Sequence, residues 1–187
     1  MAQKTTYKIV LIGDGGVGKS AYVKRLLTGE FEKRYLATLG VEVTPYADPA
    51  NCDPQDCLIG DPDITISFWD CAGQAKFAGL DSGYYLGADM AFCFYDATSK
   101  ITYKNMGKWI RKFKKERPNA PVLLVHNKVD VKEPKVNNKD FEKAVEQYKT
   151  KGVQISVKSN FNLEKPVKFA LEYLRERDQK GTLNFKF

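Results

Sequence analysis

Tyr7-Lys-Ile-Val-Leu-Ile-Gly-Asp-Gly-Gly-Val-Gly-Lys-Ser20 is the stretch whose reading decides the fold. Ile9 to Ile12 form an apolar, partly β-branched run, the pattern of a strand covered on both faces. The run breaks into a glycine-rich turn, and Val23, Leu26 and Leu27 follow at helical spacing. Inside that frame lies Gly13-x-x-x-x-Gly18-Lys19-Ser20, the spacing of a phosphate-binding loop. Glycines let successive backbone N–H groups converge on an anion at a helix N-terminus without Cβ clashes. On this reading Lys19 reaches the β- and γ-phosphates of a nucleoside triphosphate and the Ser20 hydroxyl ligates Mg²⁺. A flexible loop that happens to hold four glycines is the bland alternative. A strand before the loop and a helix after it weigh against that alternative.

Outward from this loop, strand patterns fall at 8–12, 41–46, 63–69, 90–96, 121–126 and 153–156, and helical patterns at 19–28, about 103–116, 139–149 and 163–176. Alternating β and α elements predict a parallel sheet with helices on both faces. The second and third strands lack a helix between them. Ile64, Ile66 and Phe68 alternate with Thr65, Ser67 and Trp69, which predicts an antiparallel hairpin at the sheet edge. Its connection, residues 47–62, is long, acidic and proline-rich, and is expected to project from the body. Asn162 is the expected N-cap of the last helix, whose buried stripe is Leu163, Val167, Ala170, Leu171 and Leu174.

The chain has 187 residues, the size of one domain with a substantial core. No apolar run approaches the length of a membrane helix. No signal peptide, myristoylation glycine or C-terminal prenylation cysteine is visible, so no stable membrane anchor is expected. The four cysteines are expected as reduced thiols, and Cys52 and Cys57 lack the further soft ligands a zinc site needs. Much of the net charge of +7 falls on Lys104, Lys108, Arg111, Lys112, Lys114, Lys115 and Arg117, interleaved with Met106, Trp109, Ile110 and Phe113. That spacing predicts a solvated basic helix face rather than a nucleic-acid site.

Three more motifs sit at successive strand ends, all at the carboxyl edge of one sheet, where ligands of such sheets bind. In Asp70-Cys-Ala-Gly-Gln74, Asp70 suits Mg²⁺ through water, Gly73 offers a backbone N–H to a γ-phosphate, and Gln74 can orient an attacking water. In Asn127-Lys-Val-Asp130, the Asp130 carboxylate can accept two hydrogen bonds from guanine, a donor pair adenine lacks. Asn127 would tie that loop to the phosphate loop, and the Lys128 stem would cover the base. A backbone N–H in Ser156-Val-Lys158 can reach guanine O6. Thr38 can join Mg²⁺ when a γ-phosphate is present, which makes its segment a switch.

With these residues in hand the chain resembles a Ras-superfamily small GTPase over essentially its whole length, and among the branches the Ran branch. The Ran-like phrases are Leu27-Thr-Gly-Glu-Phe-Glu-Lys33, Ala37-Thr-Leu-Gly-Val-Glu-Val43, Thr102-Tyr-Lys-Asn105, Asn127-Lys-Val-Asp130, Lys158-Ser-Asn160 and Glu164-Lys-Pro166. The resemblance implies a P-loop α/β fold with a six-stranded, mostly parallel sheet and one antiparallel edge pair. It implies a GTPase domain over 1–177 with the 47–62 insertion, and a tail over 178–187. It implies nucleotide contacts at Gly15, Gly16, Val17, Gly18, Lys19, Ser20, Ala21, Phe31, Tyr35, Thr38, Gly73, Asn127, Lys128, Asp130, Ser156, Val157 and Lys158. Phe31 would pack on the guanine, Tyr35 would shield the γ-phosphate, and Gly15 would stay free of a side chain beside Gln74. Gln74, Lys19 and Tyr35 would carry catalysis, with Mg²⁺ on Ser20, Thr38 and, through water, Asp70.

For the whole protein the resemblance implies a monomeric GTP-hydrolysing switch in nucleus and cytoplasm. Its partners would be an exchange factor, a GTPase-activating protein and importin-β-type transport receptors, with no nucleic acid. The alternatives are a catalytically weak mimic that sequesters transport factors and a Rab-type traffic GTPase. Several residues depart from the family pattern: Cys71, His126, Val157, Ala75 and Asp81, with the longer 47–62 loop and no acidic C-terminal tail. Ala75 and Asp81 bear on partner choice rather than on nucleotide chemistry.

Overall fold

The computed structural model describes residues 4–34, 36–49, 52–53, 57–73 and 81–180, the side chains of 81 and 82 excepted. Six strands form one sheet: β1 (Thr5–Ile12), β2 (Val41–Tyr46), β3 (Ile64–Cys71), β4 (Met90–Asp96), β5 (Val122–Asn127) and β6 (Lys151–Gln154). The helices are α1 (Lys19–Thr28), α2 (Asp81–Tyr85), α3 (Lys100–Glu116), α4 (Asn138–Gln147) and α5 (Lys165–Gln179). The strand order is β2-β3-β1-β4-β5-β6. All pairs are parallel except β2 with β3, whose register runs from Val41 opposite Cys71 to Tyr46 opposite Ile66. The predicted α/β architecture with an antiparallel edge hairpin is the one observed.

The two-residue period of β1 divides the core. Ile9 and Leu11 face one side with Tyr22, Phe68, Phe92 and Phe94, under α1 and the α5 stripe of Val167, Leu171 and Leu174. Val10 and Ile12 face the other, with Met106, Trp109 and Phe113 of α3 and Ala144 of α4. Each such large apolar side chain, fully buried, contributes about 1.5–3 kcal/mol. β4 and β5 are buried at every position, which is why they read as unbroken apolar runs. On α3 the exposed cations are Lys100, Lys104, Lys108, Arg111 and Lys115. Lys114 instead donates to the Pro118 and Ala120 carbonyls, and Arg117 to the Ala88 carbonyl, so part of the expected basic face is committed to the chain itself.

Several expectations need correction. The 47–62 connection does not simply project. Leu58 and Ile59 are buried in the core, and the Asp48 carboxylate accepts backbone N–H groups from Leu58, Ile59 and Gly60 at 3.0, 2.8 and 2.6 Å. Arg175 of α5 donates to the Ile59 carbonyl at 2.7 Å. An apolar pair inside an acidic loop finds a core to enter, and one carboxylate satisfies the turn it makes. Cys52 and Cys57 are not free thiols. They form a disulfide, their Cα atoms 5.7 Å apart. Cys71 and Cys93 are free and buried. Asn162 does not cap α5: the helix starts at Lys165 after Glu164, with Pro166 in its first turn, and the Asn162 amide donates to the Gln154 carbonyl. β6 lies two residues earlier than predicted, since its pairing with β5 sets Leu123 opposite Lys151. Among the described residues no helix is long and apolar enough to cross a membrane.

Candidate nucleotide site

The loops after β1, β3 and β5, the segment after β6 and the stretch before β2 meet at the carboxyl edge of the sheet, around a cavity of about 540 Å³. The loop after β1 is held by two glycine requirements. Gly13 has φ 134°, and a Cβ there would lie 2.3 Å from the Phe94 carbonyl oxygen. Gly18 has φ 101°, and a Cβ there would lie 2.3 Å from the Asn127 amide nitrogen. α1 begins at Lys19, so its unpaired N–H groups face the cavity.

Lys19 is 5% exposed, and its ammonium donates to the Gly13 and Asp14 carbonyls at 2.9 Å each. Burial pushes its pKa down, and the charge of Asp70 pulls it back. A buried cation with two neutral acceptors favours an anion in the adjoining space. Beside it, the Ser20 hydroxyl lies 2.9 Å from that of Thr38 and donates to Asp70 Oδ2, and the Thr38 hydroxyl lies 3.3 Å from the same carboxylate oxygen. Asp70 is 3% exposed, and its other oxygen, Oδ1, is buried without a partner among the described residues. Burial raises the Asp70 pKa, while Ser20 and Lys19 lower it. Two hydroxyls and a carboxylate with an unpaired oxygen are the hard donors that suit Mg²⁺. Gly73 follows, its carbonyl accepting the Gly15 N–H at 3.0 Å. A Cβ on Gly73 would meet the Asp14 and Gly15 backbone at 2.4 Å.

At the cavity's other end Asn127, 1% exposed, donates to the Val17 carbonyl at 2.9 Å. Its side-chain oxygen accepts the N–H groups of Lys128 and Val157 at 2.7 and 3.2 Å. Lys128, at φ 65°, reaches the Gly16 carbonyl at 2.8 Å and Asp96 at 2.5 Å. The Ser156 hydroxyl donates to Asp130 at 2.7 Å, and the Lys158 ammonium lies 3.7 Å from its second oxygen. Phe31 and Ala21 also line the cavity.

A family model described as the Ras family matches residues 8–176, from β1 to within α5. The chain belongs to the Ras family. Membership carries the nucleotide-binding, GTP-hydrolysing P-loop fold in general, with nucleotide and Mg²⁺ as its general ligands. Exchange factors, activating proteins and effectors are its general partners.

In this Ras-family chain the sequence-predicted residues Gly15, Gly16, Gly18, Lys19, Ser20, Ala21, Phe31, Thr38, Gly73, Asn127, Lys128, Asp130, Val157 and Lys158 all line the one cavity. Val17 and Ser156 stand behind it, bonded to Asn127 and Asp130. Tyr35 and Gln74 lie outside the described residues, as do Ala75 to Leu80 and 181–187. The backbone expectation at Ser156-Val-Lys158 narrows. The Ser156 N–H serves the Phe161 carbonyl and the Val157 N–H serves Asn127, while the Lys158 N–H has no partner among the described residues.

Sequence reasoning missed two carboxylates. Asp96 ends β4 and holds Lys128. Asp14, inside the phosphate loop, accepts from Trp109 Nε1 at 2.7 Å and Asn105 Nδ2 at 2.8 Å, both on α3. Neither carries a short-motif signal.

Proposed function

We propose that this Ras-family chain is a guanine-nucleotide switch that hydrolyses GTP to GDP, slowly until an activating protein assists it. The observation that carries the reading is the pairing of two ends in one cavity. Asp130, oriented by the Ser156 hydroxyl, faces it at one end, and Lys19, Ser20, Thr38 and Asp70 gather at the other. Asp130 would accept from the guanine N1–H and exocyclic amine, and an adenine there would leave that carboxylate unpaired. Lys19 and the amides of the loop after β1 would hold the β- and γ-phosphates, stabilising charge that builds in the transition state. Mg²⁺, when bound, supplies further neutralisation of the phosphate oxygens. Ser20 and Thr38 would turn their hydroxyl oxygens toward it in place of Asp70, and Asp70 would approach through water. Gln74 would orient the attacking water and Tyr35 would shield the γ-phosphate.

The finer proposal is a Ran-type switch acting with importin-β-type transport receptors in nucleus and cytoplasm. Its support is the set of Ran-like phrases in the sequence, with Lys76 and Phe77 kept in the second switch. The substitutions Ala75 and Asp81 favour one rival, a mimic that sequesters such receptors without cycling. Phosphate release from the GTP-loaded full chain, with and without a Ran-type activating protein, separates the two. Slow release that the activator accelerates, and that Gln74→Leu abolishes, is the expected result. Fast unaided release, or indifference to Gln74→Leu, contradicts the mechanism, and indifference to the activator favours the mimic. Calorimetry with an importin-β-type receptor tests the partner: tight binding of the triphosphate form alone is expected, and binding of neither form removes the transport role.

A further inference from the structure

Asp14 is a full negative charge placed one residue before Gly15, in the loop proposed to cradle a polyanion. Its carboxylate does not face that cradle. Oδ1 accepts the Trp109 indole N–H at 2.7 Å and Oδ2 accepts the Asn105 amide at 2.8 Å. Asn105 and Trp109 are four residues apart on α3, so they present one surface of the helix to both carboxylate oxygens. The helix itself is immobilised by Met106 and Phe113, each about fully buried in the core. The backbone of the same residue does different work. The Asp14 carbonyl accepts from Lys19, and the next peptide N–H, that of Gly15, is bonded to Gly73.

The loop's direction fixes which phosphate lies nearest. Gly16 and Val17 are tied to Lys128 and Asn127 at the base end. Gly15 is tied to Gly73 at the end farthest from Asp130 and close to Lys19. Asp14 therefore borders the terminal-phosphate end. Like charges brought close together there would repel.

We propose that Asn105 and Trp109 are positioning residues that hold the Asp14 carboxylate away from the terminal phosphate, and so help to set the ratio of triphosphate to diphosphate affinity. This rests on the guanine-nucleotide reading above. Without the two α3 donors the carboxylate is free to turn toward the cavity. There it would oppose the γ-phosphate and compete with it for Lys19. GDP, which ends one phosphate short, would feel less of this.

The test is calorimetric titration of the full chain with a non-hydrolysable GTP analogue and with GDP, both with Mg²⁺. Asn105→Ala and Trp109→Phe should each lower the triphosphate-to-diphosphate affinity ratio about tenfold, the equivalent of one hydrogen bond to a charged group. Asp14→Ala added to Asn105→Ala should return the ratio to within about twofold of wild type, since the repelling charge is then gone. A purely structural role for Asn105 would not be rescued by removing a charge. GDP affinity in each variant reports that the fold is intact, and Asn105→Ala decides alone if Trp109→Phe unfolds. An unchanged ratio in the single variants, or a double variant no better than Asn105→Ala, overturns the proposal. A wild-type chain that binds neither nucleotide removes the guanine-nucleotide reading and this proposal together; a wild-type chain that binds both, with indifferent variants, removes the proposal alone.

Discussion

The two ends of the cavity are built differently. At the base end Asn127, Lys128 and Asp130 are interlocked by side-chain hydrogen bonds to Val17, Gly16, Asp96 and Ser156. At the phosphate end the segment before β2 is open: Leu36 is 68% and Leu39 77% exposed, and the hydroxyl of Thr38 rests on Ser20 and Asp70. Those are the very oxygens that Mg²⁺ and a triphosphate would reorganise. Segments with few buried contacts open at low free-energy cost. On the proposed reading the difference teaches a division of roles: the fastened end would select which base binds, and the loose end would register how many phosphates it carries.

The largest expected effect comes from breaking the loose end at its buried cation. Lys19→Ala should lower GDP and GTP affinity about 1,000-fold, two hydrogen bonds to charged groups being lost together. Titration calorimetry checks this, and an affinity within tenfold of wild type would refute the role given to Lys19.

Next is the fastened end in acid. His126 precedes Asn127, is 1% exposed, and is stacked between Tyr95 and Phe141 at centroid distances of 4.7 and 5.9 Å. Burial pushes its imidazole down from 6.5 to about 4. Above pH 6.5 both folded and unfolded states hold it neutral, and it adds no pH dependence. Between 6.5 and 4 the unfolded chain binds a proton that the folded chain refuses, so stability falls as pH falls, by roughly 3 kcal/mol across the window. Urea unfolding between pH 7 and 4.5 should show a steeper loss for wild type than for His126→Phe. Parallel curves would contradict this.

Asp130→Asn sharpens the base-end role. It exchanges one acceptor for a donor, matching the carbonyl that xanthine carries where guanine carries its amine. Preference should swing from GDP toward XDP by about 100-fold in competition binding. The smallest effect is expected at Thr38→Ala: about a tenfold loss for a non-hydrolysable GTP analogue and little change for GDP. Equal losses for both would erase the contrast between the ends.

Much of this contrast was legible in the sequence. Gly13, Gly18, Lys19, Asn127 and Asp130 are dictated by local chemistry, and the runs of β1, β4 and β5 follow from burial on both faces. What escaped depends on long-range geometry. The Asp14 carboxylate meets Asn105 and Trp109 some ninety residues away, and nothing short in the sequence announces it. The composition of 47–62 masked the apolar pair Leu58-Ile59 that enters the core, and the expectation of reduced thiols overlooked how close Cys52 and Cys57 come to each other. The five-residue α2 carries too little periodicity to be read. The polar edge strand β6 takes its register from β5 rather than from its own side chains.

Hydrogen exchange on the full chain, loaded in turn with GDP and with a non-hydrolysable GTP analogue, tests the division of roles most directly. The account predicts that amides of residues 36–40 and around Gly73 gain protection with the triphosphate, while those of Asn127 to Asp130 and 156–158 stay equally protected in both. Equal protection throughout, or a change confined to the base end, would contradict it.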